Sequence, residues 1–316
     1  MIGSHMVEHF HGLGEHVIGS YYKPTIDLRE IHSDIHLIEC DVRYSQTVQD
    51  IILKYRPEQI YHLAAQSYPT VSWERPHETM DTNVSGTISI FEAVKHVRSI
   101  YSDYNPIVLV ACSSAEYGAA FESLSEPKIS ETAQLLPLHP YGVSKVAQDL
   151  LAYQYFRNDN IRTIRARIFN TTGIRKTNDV VSDFVRRAVE QECEPEPVLR
   201  VGNIETYRAI MDVRDLINAM ILLMQKGQYG EAYNISSEKA VQVKDIISII
   251  EGITEKSYAL QVDEELLRPT DEPIIIGNID KLVNATGWRQ EKTLEKTVTW
   301  MLQYLREKRD NSVRFV

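Results

Sequence analysis

Cysteine is scarce in this chain. Its three residues, Cys40, Cys112 and Cys193, lie far apart and form no C-x-x-C pair. That excludes a disulfide framework and a four-cysteine zinc site, and it fits a reducing cytoplasm. No apolar run approaches the ~20 residues of a membrane span. The N-terminus shows no basic segment followed by an apolar one, so no secretory signal is expected. Positive charge is in deficit: the net charge is −10 over 316 residues. Such a balance argues against a dedicated nucleic-acid binder, although local arginines can still receive an anionic substrate. There are no internal repeats and no low-complexity segments. What remains is an ordinary globular composition, 43% hydrophobic, long enough for one large α/β domain and a smaller lobe.

Strand and helix patterns alternate from the start. Residues 4–11 read as a helix that stops near Gly12 and Gly14, followed by strands at 16–22 and 35–40, a helix at 46–55 and a strand at 59–64. A long helix is expected over 80–97, a doubly buried strand over 107–111, a helix over 141–156 and a strand over 161–169. This order predicts a parallel, doubly wound, Rossmann-type α/β sheet, with residues 1–170 as the dinucleotide-binding domain. After residue 170 the alternation loosens. Strands at 198–201, 232–235 and 258–262 mix with helices at 180–192, 213–226, 243–251 and 294–306, which predicts a smaller C-terminal substrate lobe, 171–316, interleaved with the first domain.

One feature of a doubly wound dinucleotide fold is missing. Such a fold opens with an apolar strand and a glycine-rich turn, close to G-x-x-G-x-x-G. Here the chain opens Met1-Ile2-Gly3-Ser4-His5-Met6-Val7-Glu8. That resembles the end of the turn, with Gly3 as its last glycine and Ser4 onward as the helix. Gly-Ser-His-Met also matches an expression-tag scar, but the segment reads equally as a native helix start, and the native reading is favoured. The expectation is that the first strand and the earlier glycines are absent and the phosphate-cradling loop is incomplete. A truncated gene would account for both.

Tyr141 and Lys145 stand four apart, on one face of a helix that Pro140 can start. A free tyrosine, with a pKa near ~10, is a poor base at neutral pH. A lysine cation beside it is expected to lower that value. Ser113 and Ser114 follow the apolar strand 107–111, at the strand end that lines the ligand crevice of a parallel sheet. A hydroxyl there can bond a substrate carbonyl and share its proton with Tyr141. Cys112 reads as core filling, because no base is identifiable beside it. His5, His9, His11 and His16 cluster near the N-terminus, but no acidic or cysteine partner completes a metal site, and no metal is expected.

Several spaced motifs then fall into one order: Tyr61-His-Leu-Ala-Ala-Gln66, Thr82-Asn-Val-Ser-Gly-Thr87, Ser113 to Gly118, Pro140-Tyr-Gly-Val-Ser-Lys145, Phe169-Asn-Thr-Thr-Gly173, Val201-Gly-Asn-Ile-Glu205, Met211-Asp-Val-Arg-Asp215 and Leu267-Arg-Pro-Thr-Asp-Glu272. With these motifs the chain resembles the extended short-chain dehydrogenase/reductase family from Gly3 nearly to Arg306. Within it, the likeness is to the GDP-6-deoxy-4-keto-mannose reductases and the GDP-mannose 4,6-dehydratases. The resemblance implies a catalytic set of Ser113, Tyr141 and Lys145, with Asn83 supporting its framework. It implies a cofactor path along Gly3, Asp41, Leu63, Ala64 and Ala65, with Tyr141 and Lys145 reaching the nicotinamide end. Ser114, Asn170, Arg208 and Arg268 fall where the family meets the sugar diphosphate, and Arg175 and Lys176 lie in a segment that closes over substrate. Ala209 departs from the pattern, standing where relatives carry Asp. A homodimer through the helices 80–97 and 141–156 is also implied.

Cofactor preference can be read from the strand end Ser20-Tyr-Tyr-Lys23. An acidic residue there would bind the ribose 2′-hydroxyl of NAD. None is present, and Lys23 can meet a 2′-phosphate or remain a solvated lysine. NADP(H) is therefore favoured, with NAD(H) the alternative. The dehydratase motif places a glutamate two residues after the catalytic hydroxyl residue, and that position here is Ala115. Reduction of a GDP-linked 6-deoxy-4-keto-hexose is accordingly favoured, with 4,6-dehydration or 4-epimerisation as alternatives. A non-catalytic remnant or interaction protein is the reading from another class.

Overall fold

The computed structural model describes residues 1–123, 128–266 and 272–313. The first half runs α1 (Ile2–Gly12), β1 (Ile18–Tyr21), β2 (His36–Glu39), α2 (Ser45–Tyr55), β3 (Gln59–His62), α3 (Pro69–Glu74), α4 (Pro76–Met80), α5 (Gly86–Ile100), β4 (Ile107–Ser113), α6 (Pro140–Asp159) and β5 (Arg162–Ile168). The second half runs β6 (Thr171–Thr172), α7 (Val180–Glu190), β7 (Val198–Val201), β8 (Tyr207–Arg208), β9 (Met211–Asp212), α8 (Val213–Lys226), β10 (Ala232–Ile235), β11 (Val241–Gln242), α9 (Val243–Thr254), β12 (Ala259–Val262), β13 (Ile274–Ile275), α10 (Asp280–Thr286) and α11 (Leu294–Val313).

Strands β10-β5-β4-β3 form a parallel sheet with helices on both faces. Its centre is β4, where Val108, Leu109 and Val110 are fully buried. Alternate side chains serve opposite faces. Leu109 packs with Ile164, Met220 and Trp288 beneath α8. Val108 and Val110 pack with Phe91 and Val94 of α5 and with Ala152 and Tyr155 of α6. Each large side chain so buried contributes ~1.5–3 kcal/mol. Burial on both faces is why this strand reads as an unbroken apolar run. β10 comes from the second half, pairing Ala232 with Arg165, so the chain returns to the sheet after building β6 to β9. A separate core of Val185, Leu199, Ile246, Ile250, Val298 and Leu302 holds α7, α9, α11 and β7 together.

One expectation needs correction. The helix anticipated over 80–97 is three pieces: α4, a π-helical turn at Asp81–Ser85, and α5. The widened turn is held by tertiary bonds. The Asn83 side-chain oxygen accepts from the Gln66 N–H (2.8 Å), and its amide donates to the Gln66 carbonyl (3.1 Å) and to Ser144 Oγ (2.8 Å). Hydrophobic periodicity carries no signal of such bonds. The parallel, doubly wound α/β fold is as expected, with its sheet interrupted between β1 and β3. Among the described residues β1 pairs only with β2, in a two-stranded sheet of its own, and β3 is an edge of the four-stranded sheet. α1 spans the two. A Cβ on Gly19 of β1 would stand 3.2 Å from Val7 Cγ1, and the Phe10 ring lies 5.6 Å from that of Tyr61 on β3.

Candidate active site

A cleft of about 1970 Å³ follows the length of β1 and β3 and opens at the C-terminal ends of β3, β4 and β5. In an open α/β sheet this is where ligands bind, because loops diverge there and helix N-termini point inward. β4 delivers Ser113 to its edge. The Ser113 Oγ accepts from the Ala115 N–H (3.2 Å), and its own N–H donates to the Glu116 carboxylate (2.8 Å), a reciprocal cap that fixes the turn. α6 delivers the other two groups. It starts at Pro140, and His139 caps it by accepting from the Gly142 N–H at Nδ1 (3.0 Å) while its ring stacks on Tyr141.

Ser113, Tyr141 and Lys145 converge as the spacing suggested. The Tyr141 hydroxyl lies next to Ser113, and Lys145 Nζ lies 5.7 Å from the Tyr141 ring centre. Lys145 is buried and donates to the Ala111 carbonyl (2.8 Å). Burial lowers its pKa to about 8. The expected lowering of the tyrosine is not what the structure gives. Burial pushes Tyr141 up to about 12, against the opposing pull of Ser113. The lysine proton faces a backbone carbonyl, and low-dielectric surroundings disfavour the phenolate. Behind Lys145, His62 shares Thr87 with Gln148 (2.9 and 2.7 Å), and burial drives this imidazole down to about 3, hence neutral.

Gly3, Leu63, Ala64, Ala65, Ser114 and Asn170 all line the cleft. A Cβ on Gly3 would lie 3.9 Å from Leu63 Cδ1, so α1 begins beside the end of β3. Among the described residues the buried Asn170 side-chain nitrogen meets no hydrogen-bond partner. Lys23, in the left-handed region (φ 43°), follows β1 and lies 5.3 Å from the Tyr22 ring. Asp41 is held below its ordinary range by Arg43, with which it forms a bidentate pair (2.6 Å at the closest). Arg43 also lies 5.6 Å from the Tyr22 ring. Sequence reasoning missed this second cation, and the Asp-x-Arg step after a strand was the available signal. His139, which caps α6, was missed as well; it stands directly before the proline credited with starting that helix.

Arg208 is buried at the cleft wall and donates to the Tyr207 and Glu272 carbonyls (2.9 and 2.8 Å). Its neighbour Ala209, fully buried, bonds through its N–H to the Ile275 carbonyl (2.9 Å). Arg268 lies outside the described residues. Arg175 is engaged elsewhere, pairing with Glu8 (2.7 Å) and donating to the Glu30 carbonyl (2.8 Å), so it ties the loop after β6 to α1. Lys176 lines the cleft. Glu116 turns inward: fully buried, it accepts from the Ser113 N–H and lies 3.3 Å from Arg167, which also meets Asp149 of α6 (2.9 Å).

A parallel α/β sheet that joins a serine hydroxyl, a tyrosine and a lysine at its ligand edge defines an enzyme of the extended short-chain dehydrogenase/reductase type. More narrowly, the chain belongs to the GDP-mannose 4,6 dehydratase family, whose model matches residues 1–301. It is 26% identical to a GDP-6-deoxy-D-mannose reductase of Pseudomonas aeruginosa over 78% of this chain and 79% of that one. It is 25% identical to GDP-mannose 4,6 dehydratase 2 of Arabidopsis thaliana, over 95% and 83%. Among solved structures it resembles RMD from Pseudomonas aeruginosa, complexed with NADPH, at a TM-score of 0.78 and 25% identity over 89% and 93% of the two chains. The fold is also that of a UDP-glucose 4-epimerase from Thermotoga maritima, at a TM-score of 0.86 and 22% identity over 98% and 96%.

Proposed function

We propose that this protein reduces the 4-keto group of a GDP-linked 6-deoxy-hexose with NADPH, in the cytoplasm and as a homodimer. Residues 1–170 form the part that takes the dinucleotide, and 171–316 mainly the part that takes the nucleotide sugar. The observation that carries the reading is the pair Ala115 and Glu116. Dehydration needs a second proton-transfer group beside the hydroxyl residue. At the motif position the side chain is a methyl, and the next carboxylate is buried against Arg167 rather than aimed at the cleft.

The residues present fit a nicotinamide dinucleotide. Lys23 and Arg43 bring two cations to the ends of β1 and β2, matching a 2′-phosphate. Ala64 and Ala65 leave room for close approach along Leu63. Asp41, though tied to Arg43, stands beside the adenine position, and Gly3 leaves the start of α1 open to the diphosphate. When bound, NADPH supplies the hydride to the carbonyl carbon. Tyr141 gives the carbonyl oxygen its proton, Ser113 polarises that oxygen, and Lys145 holds the nicotinamide ribose. A tyrosine with a pKa of about 12 is fully protonated at neutral pH, which is the form that reduction requires. Ser114, Asn170, Arg208 and Arg268 are assigned to the sugar diphosphate. The unpartnered Asn170 amide supports its share of that role.

The test is to incubate the protein separately with GDP-mannose and with GDP-linked 4-keto-6-deoxymannose, following NADPH absorbance and product mass, with Tyr141→Phe alongside. Expected is NADPH oxidation on the keto sugar alone, reduced ~10²–10⁴-fold in the variant. Water loss from GDP-mannose without NADPH consumption on the keto sugar would establish the dehydratase reading instead. A folded sample that binds no NADPH would support the non-catalytic one.

A further inference from the structure

The last turn of α1 and the segment that leads into β2 meet near the start of the parallel strands β1 and β2. A small apolar core holds them together: Val7 of α1 is buried with Ile31 and Ile35. Val7 and His11 stand four apart, so they share a helix face. His32 and Asp34 flank the same core in the chain, next to Ile31 and Ile35. The Ile35 N–H donates to the His32 carbonyl (3.1 Å), which closes that segment into a turn. Packing therefore gathers three metal-ligand side chains. The His11 and His32 ring centres lie 4.5 Å apart. One ligand atom from each of His11, His32 and Asp34 lies within 4.8 Å of the others.

Two imidazoles and a carboxylate match the donors that zinc takes. Tetrahedral zinc with bonds of ~2.0–2.1 Å holds its ligand atoms about 3.3 Å apart, so closing from 4.8 Å asks only for side-chain rotation. His32 and Asp34 are exposed, and little packing opposes that rotation. The His32 Nδ1 lone pair already points to the Asp34 side. It accepts from the Asp34 N–H (3.3 Å) and lies 4.0 Å from the Asp34 carboxylate. His11 sits in the last turn of α1, where the helix dipole favours a cation. A second grouping, Cys112, Glu116 and Asp149, has ligand atoms equally close, but Arg167 pairs with both of its carboxylates and its charge repels a metal ion. In the sequence the N-terminal histidines have no acidic partner nearby. Asp34 becomes one only through the packing of Ile31 and Ile35 on Val7.

We propose that His11, His32 and Asp34 bind one zinc-class divalent ion, with water in the fourth position. The bound ion braces the end of α1 against the connection between β1 and β2. Magnesium and calcium take oxygen donors, whereas two of these three donors are nitrogen. The inference is independent of the substrate assignment, because none of the three residues lines the cleft.

The probe is zinc chloride alone, titrated calorimetrically into the full chain and into His32→Ala, Asp34→Asn and His9→Ala. Expected is one zinc per chain, bound at least tenfold more weakly in His32→Ala and in Asp34→Asn. His9→Ala, which removes a histidine of the same helix outside the site, should bind as the unmodified chain does. An ion that binds the folded state raises the unfolding midpoint, so zinc should raise it in the unmodified chain and in His9→Ala but not in His32→Ala. No binding with zinc in excess would overturn the proposal. Equal affinity in the unmodified chain and His32→Ala would overturn it too, by placing the ion on the histidines of α1 alone. Magnesium chloride binding as tightly as zinc would overturn the ligand class.

Discussion

Tyr141 and Glu116 show how position inside one fold separates two groups of similar reach. Tyr141 keeps its proton because burial outweighs the opposing pull of Ser113, which its hydroxyl faces at the cleft. Glu116 also keeps its proton more firmly than a free carboxylate, since burial and then Asp149 push it up against the pull of Arg167. It is turned to the core, so it caps the Ser113 turn and is assigned no substrate contact. This has a consequence for stability. With the native pKa above the unfolded value near 4.5, the folded state binds more protons than the unfolded one from pH 4.5 upward. The Glu116 contribution is therefore fully present below 4.5 and is lost as pH rises through the raised value. Glu116→Gln is expected to flatten that fall. Urea midpoints of the two proteins between pH 4.5 and 8 check it, and parallel curves would show that Glu116 titrates normally.

At the scale of elements, the site depends on how closely α6 can approach the turn after β4. Gly142 makes the approach possible. A Cβ there would lie 2.6 Å from the Ala115 carbonyl oxygen and 2.9 Å from Pro137 Cβ, and neither is a flexible chain end. Gly142→Ala should therefore push the start of α6, with Tyr141, away from Ser113. The expected cost is ~1–3 kcal/mol of stability, with turnover falling more than substrate affinity. Gly252, in α9, has nothing within 4 Å of its would-be Cβ. Gly252→Ala should instead stabilise by ~0.5–1 kcal/mol. Thermal midpoints of both variants, with NADPH turnover for the first, decide the matter. Equal behaviour of the two would remove the packing argument.

On the scale of the whole molecule, α5 and α6 lie side by side and leave apolar residues in solvent. Val143, Leu150 and Tyr153 on α6 are 44%, 53% and 43% exposed, and Ile88 on α5 is 37% exposed. Val143 and Leu150 are seven apart and Tyr153 three further, so they share one helix face. A second copy presenting the same face would close a four-helix contact, as the proposed homodimer requires. Light scattering at micromolar protein should give twice the chain mass, and Leu150→Glu should return it to one. A strictly monomeric unmodified chain would refute the dimer.

Much of this was legible in the amino-acid order. The run Ile107 to Ala111 announces a strand buried on both faces, because both faces must be apolar. The step from Tyr141 to Lys145 places two side chains on one helix face, because 3.6 residues make a turn. Strands at 198–201 and 232–235 and the helix at 213–226 fell where local pattern put them. Other features were decided only in three dimensions. The π-helical turn around Asn83 depends on bonds to Gln66 and Ser144, which are distant in sequence. The direction of Glu116 depends on Arg167 and Asp149, from the next strand and helix. The high pKa of Tyr141 follows from burial, a property of packing, whereas the lysine four residues away suggested a shift of opposite sign. Sequence determined which chemistry was available and on which elements it rode. Tertiary structure decided which groups face the cleft and in which protonation state, because burial and partners are set by residues far apart along the chain.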